Sequence, residues 1–258
     1  MNMEPTGIEP QRPTGWAFAA QIGLSIAVLS ALMAIGAGFG SRFELWHFRT
    51  GFSFLQWGAM GGAAAAIVSL IPLIGLWRRR GSQRQIVLAL LGFTIGITIF
   101  AIPVQWMMTA RRVPPIHDIT TDTEHPPAFV AILKVRQGAP NPAEYGGPEI
   151  AAQQRSGYPE LGPIVLPLSP DQAFERALAA ARSMGWQIVD ANREEGRIEA
   201  TDTTFWFGFK DDVVIRITPA DQGSRIDVRS VSRVGRSDVG TNARRIENYL
   251  KKLQKSGM

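Results

Sequence analysis

Residues 52–76 read FSFLQWGAMGGAAAAIVSLIPLIGL, a run of 25 residues without a charged side chain. About 20 helical residues, each rising about 1.5 Å, cross the roughly 30 Å hydrocarbon core of a bilayer. A helix also satisfies its own backbone hydrogen bonds, which lipid cannot do for it. The run therefore predicts a membrane-spanning helix, because buried helices of soluble proteins seldom extend this far without a charge.

Two further uncharged runs flank it, at residues 17–39 and 86–108, each 23 residues long. Both exceed the ~7–15 apolar residues of a signal-peptide core, and Glu4 and Glu9 against Arg12 make a poor basic leader. Tryptophans concentrate at membrane–water boundaries. Five of the seven lie at or near the ends of the runs: Trp16, Trp46, Trp57, Trp77 and Trp106. We therefore predict an N-terminal tail over residues 1–16 and three retained transmembrane helices within 17–108.

Each predicted span contains two glycines four residues apart, a spacing that lets helix backbones approach closely. The pairs are Gly36 with Gly40, Gly58 with Gly62, and Gly92 with Gly96. We expect these contacts inside a three-helix bundle, with a dimer face as the alternative. No span contains an ionisable residue, which argues against a proton relay or an ion channel.

Basic residues in short loops mark the cytoplasmic side of a membrane protein. The connection after the second run contains Arg78, Arg79, Arg80 and Arg84 and no acid. With Arg12 they place five basic residues on that side, against Arg42, Arg49, Arg111 and Arg112 on the other. The pattern predicts a multi-pass inner-membrane protein with a cytoplasmic N-terminus and an extracytoplasmic C-terminal domain.

Charge is divided sharply along the chain. Residues 1–108 hold seven basic and three acidic side chains, whereas residues 109–258 hold twenty and nineteen. Because the second part is nearly balanced, the overall charge of +5 is no argument for nucleic-acid binding. The absence of cysteine excludes disulfides, thiolate catalysis and iron–sulfur clusters. No motif predicts a cofactor.

Residues 109–163 contain nine of the seventeen prolines, which predicts a wrapping segment with little regular structure. Its apolar stretch 129–133 fits a strand or an anchor on a core. His117, Asp118, Asp122 and His125 carry side chains that can bind zinc or manganese, so His117, Asp122 and His125 are candidate metal ligands. In the alternative interpretation, Asp118 and Asp122 cap turns through backbone amides.

Residues 164–258 predict an α+β domain. Ser169, Pro170 and Gln172 form a capping box that begins a helix over about 170–184, and Gly185 ends it. Apolar residues then alternate with period two, which indicates an antiparallel β-meander. We expect Leu161–Leu168 to add a strand before the helix. Spacings of three and four from Val239 predict a final amphipathic helix over about 239–254.

The strands and turns of the meander can be placed from the pattern. Phe205, Phe207 and Phe209 alternate and predict a strand, and turn residues occur at 192–196, 210–211 and 219–223. In the last hairpin, pairing Ile215 with Ile226 puts the apolar residues on one face. The same register places Asp212 opposite Arg229, and we predict an ion pair between them.

The densest polar cluster precedes the final helix. Ser230, Ser232, Arg233, Arg236 and Ser237, with the backbone amides that open the helix, are candidate ligands for a phosphate or lipid headgroup. Residues 222–258 hold nine basic and three acidic side chains, whereas residues 109–221 hold eleven and sixteen. In the alternative, Ser237 or Asp238 caps the helix and the arginines pair with the acidic half.

Several of these motifs together resemble the family called domain of unknown function 1499, over about residues 114–254. The resemblance rests on Ile116–Asp122, Arg197–Thr201, Asp211–Val213, and Arg229–Arg233 with Gly240 and Asn242. Domains of that family often follow membrane helices. The resemblance implies no activity, substrate or catalytic residue.

Three functions follow from these patterns. The first is a non-catalytic, membrane-anchored envelope module that binds an anionic group, a lipid or an envelope protein. The second is a hydrolase or metal-dependent enzyme, in which His117 and Asp118 act with Asp211 and Asp212 and must lie within about 12 Å of them. The third is assembly with other membrane proteins through the glycine-rich helix faces.

Overall fold

The computed structural model of the chain describes residues 15–79 and 82–255, with side chains except those of 76–79. Most of the predicted tail, with Glu4, Glu9 and Arg12, lies outside the described residues, as do Arg80 and the side chains of Trp77, Arg78 and Arg79. The chain divides into two compact units, Met1–Gln105 and Trp106–Met258. Each unit has its own architecture.

Three long helices begin the described chain: α1 (Gly15–Arg42), α2 (Phe48–Arg79) and α3 (Gln83–Ala110). All three are long and apolar enough to cross a membrane, and they contain the three uncharged runs, as predicted. Pro72 and Pro103 lie within helices near the ends of the runs, where a missing amide donor is tolerated more easily. The apolar helices indicate a membrane protein.

Glycines let the helices of the first unit approach backbone to backbone. A Cβ atom added to Gly62 would lie 2.8 Å from the Gly96 carbonyl oxygen, and one added to Gly92 would lie 2.9 Å from the Leu24 amide nitrogen. Any larger side chain would push these helices apart. The prediction of close packing inside the bundle is confirmed for these positions, whereas nothing lies within 4 Å of a Cβ added to Gly36.

The second unit contains six strands and four helices among its described residues. In chain order they are β1 (Asp118–Thr120), α4 (Ile132–Val135), α5 (Gly147–Gly157), β2 (Ile164–Leu166), α6 (Pro170–Ser183), β3 (Gln187–Asn192), β4 (Arg197–Thr203), β5 (Lys210–Ala220), β6 (Gly223–Ser232) and α7 (Thr241–Lys255). The strands pair antiparallel in the order β1-β6-β5-β4-β3, and β2 also pairs with β6. The predicted meander and the strand before α6 are confirmed.

The sheet separates two cores of different composition. On its helix face, the side packed by α6 and α7, Val213, Ile215 and Ile226 belong to a large apolar cluster with both helices. On its wrap face, the side covered by residues 121–145, Phe129 and Ile132 pack on a smaller apolar group of the sheet. Strand side chains alternate between the faces, so β5 and β6 supply both cores.

Short-range sequence features determine where the two helices on the helix face, α6 and α7, begin and end. Ser169 caps α6 in the predicted capping box with Gln172, and Gly185 follows it with a positive φ of 80°. The last helix begins at Thr241 rather than at Val239, because Val239 and Gly240 both have positive φ values, of 53° and 75°, which a right-handed helix does not accommodate.

Two local predictions were wrong. The alternating phenylalanines form no strand: Thr204–Phe209 is the turn between β4 and β5, and Lys210 and Asp211 begin β5. Gly208, with a φ of 70°, and hydrogen bonds between Thr204 and Phe209 close this turn.

The wrapping segment also contains α5, an 11-residue helix. The many prolines around it concealed it, because Pro148 occupies its first turn, where proline is tolerated.

The predicted register of the last hairpin was wrong by two residues. Ile215 lies opposite Val228, and Asp212 lies opposite Val231 instead of Arg229. The hairpin turn is shorter than expected, since Pro219 and Ala220 remain in β5 opposite Ser224 and Gly223. Pro219 is tolerated there because β4 ends opposite Arg216, so the strand past that point is an edge. A two-residue shift keeps each side chain on its predicted face.

Candidate functional site

The candidate acidic residues lie close together at one end of the sheet. The Ser232 amide donates to the carbonyl oxygen of His117 at 3.0 Å, and Ser232 lies opposite Asp211 on its other side. Asp118 and Asp212 lie opposite Val231 from the two sides of β6. Because neighbouring strands are about 4.8 Å apart, the backbones of His117 and Asp211 are separated by about 10 Å. The sheet therefore satisfies the proximity that the hydrolase hypothesis required.

Asp118 is held by a buried arginine. Arg229 donates from Nε and Nη2 to the two carboxylate oxygens at 2.9 and 2.7 Å, and both side chains are almost fully buried. The guanidinium group also lies over the rings of Phe129 and Tyr145, 5.2 and 5.4 Å from their centroids. This bidentate, stacked geometry is one that arginine makes and lysine cannot. The ion pair predicted for Arg229 with Asp212 is wrong, because the register brings Asp118 to it instead.

Asp212 binds two other arginines on the same face. Arg136 donates to it at 2.6 Å, Arg233 at 2.8 and 2.9 Å, and the Thr201 hydroxyl at 2.7 Å. Burial alone would raise the pKa of Asp212. The hydrogen bonds from Arg233, Thr201 and Arg136 outweigh that effect and hold its pKa below the usual 3.8. Asp212 is therefore a stable carboxylate with its lone pairs engaged, which is a poor general base.

Asp211 points to the opposite face of the sheet. Arg245 of α7 donates to it at 2.5 Å and to Asp202 at 2.8 Å. Arg245 also contacts the side chains of Ser230 and Asn242, all inside the helix-face core. The adjacent aspartates 211 and 212 thus serve different networks on opposite faces, as strand alternation requires.

The candidate metal ligand Asp122 is engaged by backbone amides and by two arginines. Asp122 accepts backbone hydrogen bonds from Glu124 and His125, and it accepts from Arg216 and Arg225 at 3.1 and 3.0 Å. Burial would raise the pKa of Asp122, but these partners together lower it. Its predicted role of capping a turn is confirmed, whereas Asp118 pairs with an arginine. Within residues 15–79 and 82–255, no three metal-binding side chains come together.

Most of the candidate anion cradle is engaged inside the protein. The Ser230 hydroxyl donates to the side-chain oxygen of Asn242 at 2.7 Å. The Ser232 hydroxyl accepts from the side-chain nitrogen of Asn242 at 3.0 Å. Ser237 accepts from the Val239 amide. Arg233 binds Asp212 on the other face of the sheet, so it does not converge with the serines. Arg236 is exposed at the surface.

The side chain of Asp238 caps the start of α7. The carboxylate of Asp238 accepts from the amides of Gly240 and Asn242 at 2.9 and 2.6 Å. Burial raises the pKa of Asp238, although those two amides lower it. Because the aspartate occupies the amides that a phosphate would use, the helix start is capped, as the alternative interpretation expected.

Sequence reasoning missed two residues that organise the site. Arg136 lies just after α4 and is 6% exposed, yet it reaches Asp212 from 76 residues away. Gln154 of α5 is 1% exposed and exchanges two hydrogen bonds with the backbone of Thr120, at 2.9 and 2.6 Å, which covers the edge of β1. Neither has a local signal, since each resembles an ordinary polar residue of a loop or helix.

The fold and this site define a class of protein. Three candidate membrane helices precede an α+β domain whose sheet has arginine–aspartate ion pairs on its two faces. The family described as "Protein of unknown function (DUF1499)" matches residues 118–253. The chain belongs to this family. No curated protein matches the sequence.

Proposed function

We propose that the protein is a membrane-anchored, non-catalytic binding module whose second unit presents a basic surface to an anionic group. The observation that carries this proposal is that Asp118, Asp211 and Asp212 are each bound by arginine. A general base or metal ligand needs an available lone pair. Asp212 accepts four hydrogen bonds from Arg136, Arg233 and Thr201, and Asp118 and Asp211 are each buried against one guanidinium group. Their geometry favours structural over catalytic roles.

Most basic residues of the last segment that are not paired with aspartates are exposed, and one of them, Lys251, also pairs with Glu247. Within residues 222–258, Arg225, Arg229, Arg233 and Arg245 are matched by aspartates. The exposed basic residues of the same segment are Arg236, Arg244, Lys251 and Lys255, which we call the α7 basic surface. A cluster of exposed cations attracts anionic headgroups or acidic proteins. The proposed ligand is an anionic lipid headgroup, with an acidic envelope protein as the other source of the same charge.

The vesicle-binding test uses the full chain in zwitterionic nanodiscs, with phosphatidylglycerol or phosphatidylcholine vesicles added. We expect salt-sensitive binding to the anionic vesicles alone. Arg244→Gln with Lys251→Gln should weaken it about 30-fold, since each cation near an anionic membrane contributes about 1 kcal/mol. Lys134→Gln with Arg182→Gln removes two exposed cations elsewhere and is the matched control.

The outcomes of this test separate the sources of the anion. Equal loss in both double variants, or no binding to anionic vesicles or to an acidic polypeptide, would refute the proposed function. Binding to the acidic polypeptide with none to vesicles would assign the α7 basic surface to a protein partner.

The proposed location of the second unit is the extracytoplasmic side of the inner membrane. Support comes from the four arginines at positions 78, 79, 80 and 84. It also comes from the three candidate spans among the described residues, an odd number that puts the segments before and after them on opposite sides. The chain has no cysteine, so single cysteines report position cleanly. An impermeant maleimide should label Asp221→Cys in intact cells and Ser82→Cys after lysis. The reverse pattern would invert the topology.

A further inference from the structure

The turn between β4 and β5 exposes an aromatic side chain from a backbone that hydrogen bonds close. We call residues Thr204–Phe209 the aromatic loop; its sequence is TFWFGF. Phe207 is buried and stacks on Phe209, with ring centroids 5.4 Å apart. Phe205 is 77% exposed. Hydrogen bonds between Thr204 and Phe209 hold the loop closed, so the exposure is part of a defined conformation.

A tryptophan contact within the second unit joins this loop to Trp106, in the last turns of α3. The rings of Trp206 and Trp106 lie edge to face, with centroids 5.5 Å apart. Trp106 is near the end of α3, at the boundary of the uncharged run 86–108. Indoles at the ends of membrane spans lie at the level of the lipid headgroups. Trp206 therefore lies at that level as well.

The sheet register supports the same placement independently. β1 enters the sheet soon after α3 and lies beside β6 at the end where Asp118, Val231 and Asp212 are aligned. The aromatic loop leaves the sheet at this same end, next to the pair of Thr203 and Lys210. The β5–β6 turn lies at the other end, ten residues along β5, or about 33 Å away.

The charges around the loop suit a lipid surface. The loop itself carries no charge, and the exposed basic residues Lys210, Arg111 and Arg112 lie next to it in sequence or follow α3. Aromatic side chains flanked by lysine and arginine are the composition of proteins that contact the interfacial layer of a bilayer.

From these observations we infer that the aromatic loop is a second membrane-contact site, which inserts Phe205 and Trp206 into the interfacial layer of the bilayer that α3 crosses. The site anchors the sheet at the end where the chain arrives. It is separate from the α7 basic surface, so it holds whether or not that surface binds anions.

Spin labelling of single cysteines in the full chain, reconstituted in liposomes, tests the inference. A nitroxide at Phe205→Cys should collide often with oxygen, which concentrates in lipid, and several-fold less with an aqueous nickel chelate than one at Asp221→Cys. Asp221 is exposed in the β5–β6 turn and is the matched control at the distant end of the sheet.

Equal access of the nickel chelate to both labels would overturn the inference, and so would infrequent collisions of the Phe205→Cys label with both oxygen and the chelate, which would show contact with protein instead of lipid. Thr203→Cys keeps every aromatic residue and gives the decisive label if Phe205→Cys fails to fold. Its label should also be shielded from the chelate relative to Asp221→Cys, and equal access there would again refute the site.

Discussion

Replacing Asp118 with alanine would leave the Arg229 guanidinium group buried without its counter-charge. The two side chains are only 6% and 3% exposed, and the pair makes two charge-assisted hydrogen bonds. Removing one partner of such a pair costs about 3–5 kcal/mol, because the remaining charge keeps its desolvation penalty. A domain is stable by about 5–15 kcal/mol, so Asp118→Ala should shift the unfolding midpoint strongly.

A double-mutant cycle turns this expectation into a test of the pairing. Asp118→Leu with Arg229→Met removes both charges, and it should be less destabilising than the sum of the two single changes by about 2 kcal/mol or more. The same cycle between Arg229 and Asp212 should give a coupling below about 0.5 kcal/mol, since Asp212 binds Arg136 and Arg233 instead.

Pulse proteolysis of the full chain in detergent across a urea series would measure each free energy of unfolding. Lys251→Ala breaks an exposed pair with Glu247, whose side chains are 66% and 46% exposed, and it should cost at most about 0.5 kcal/mol. The reasoning would be refuted if Asp118→Ala cost no more than this surface control, or if Arg229 coupled more strongly to Asp212 than to Asp118.

Three further outcomes follow from local geometry. Asp238→Ala should cost about 1 kcal/mol through the lost cap, and Asp238→Asn should cost less, because its amide oxygen still accepts one of the two backbone hydrogen bonds; urea midpoints that rank asparagine below alanine would contradict this. Gly196→Ala should destabilise more than Gly138→Ala, since both have positive φ but a Cβ at 196 would meet a backbone carbonyl of β5 at 2.3 Å; equal melting temperatures would count against it. Because the pKa of Asp212 lies below its usual 3.8, its stabilisation should be complete above about pH 4 and lost as the pH falls through the folded-state pKa, so urea midpoints between pH 5 and 2.5 should fall less in Asp212→Asn.

Much of the fold was predictable because its signals are local. The uncharged runs, the capping box at Ser169 and the left-handed Gly185 each act within a few residues, and all three appear in the structure. The meander was predictable for the same reason, since strand alternation is a property of consecutive residues. The strand predicted through Phe205 failed because the closing hydrogen bonds of Thr204 and the positive φ of Gly208 outweighed its alternation.

The candidate site was predictable in its composition and not in its connections. Asp118, Asp211, Asp212 and Arg233 were recognised from the sequence, and the sheet does bring the three aspartates to one end. Their partners depend on register: a shift of two residues leaves each face unchanged but gives every charge a different neighbour. Arg136 could not be found, since nothing near it in the chain distinguishes it from a surface arginine.

The sequence by itself determined that the opening helices are long and apolar enough to cross a membrane and that an α+β domain follows, because hydrophobicity and its period act residue by residue. Only the tertiary structure decided that Arg229 neutralises Asp118 across 111 residues and that Asp212 joins Arg136 and Arg233. A flexible guanidinium group can reach several carboxylates on one face. The backbone packing that positions them selects which one it binds.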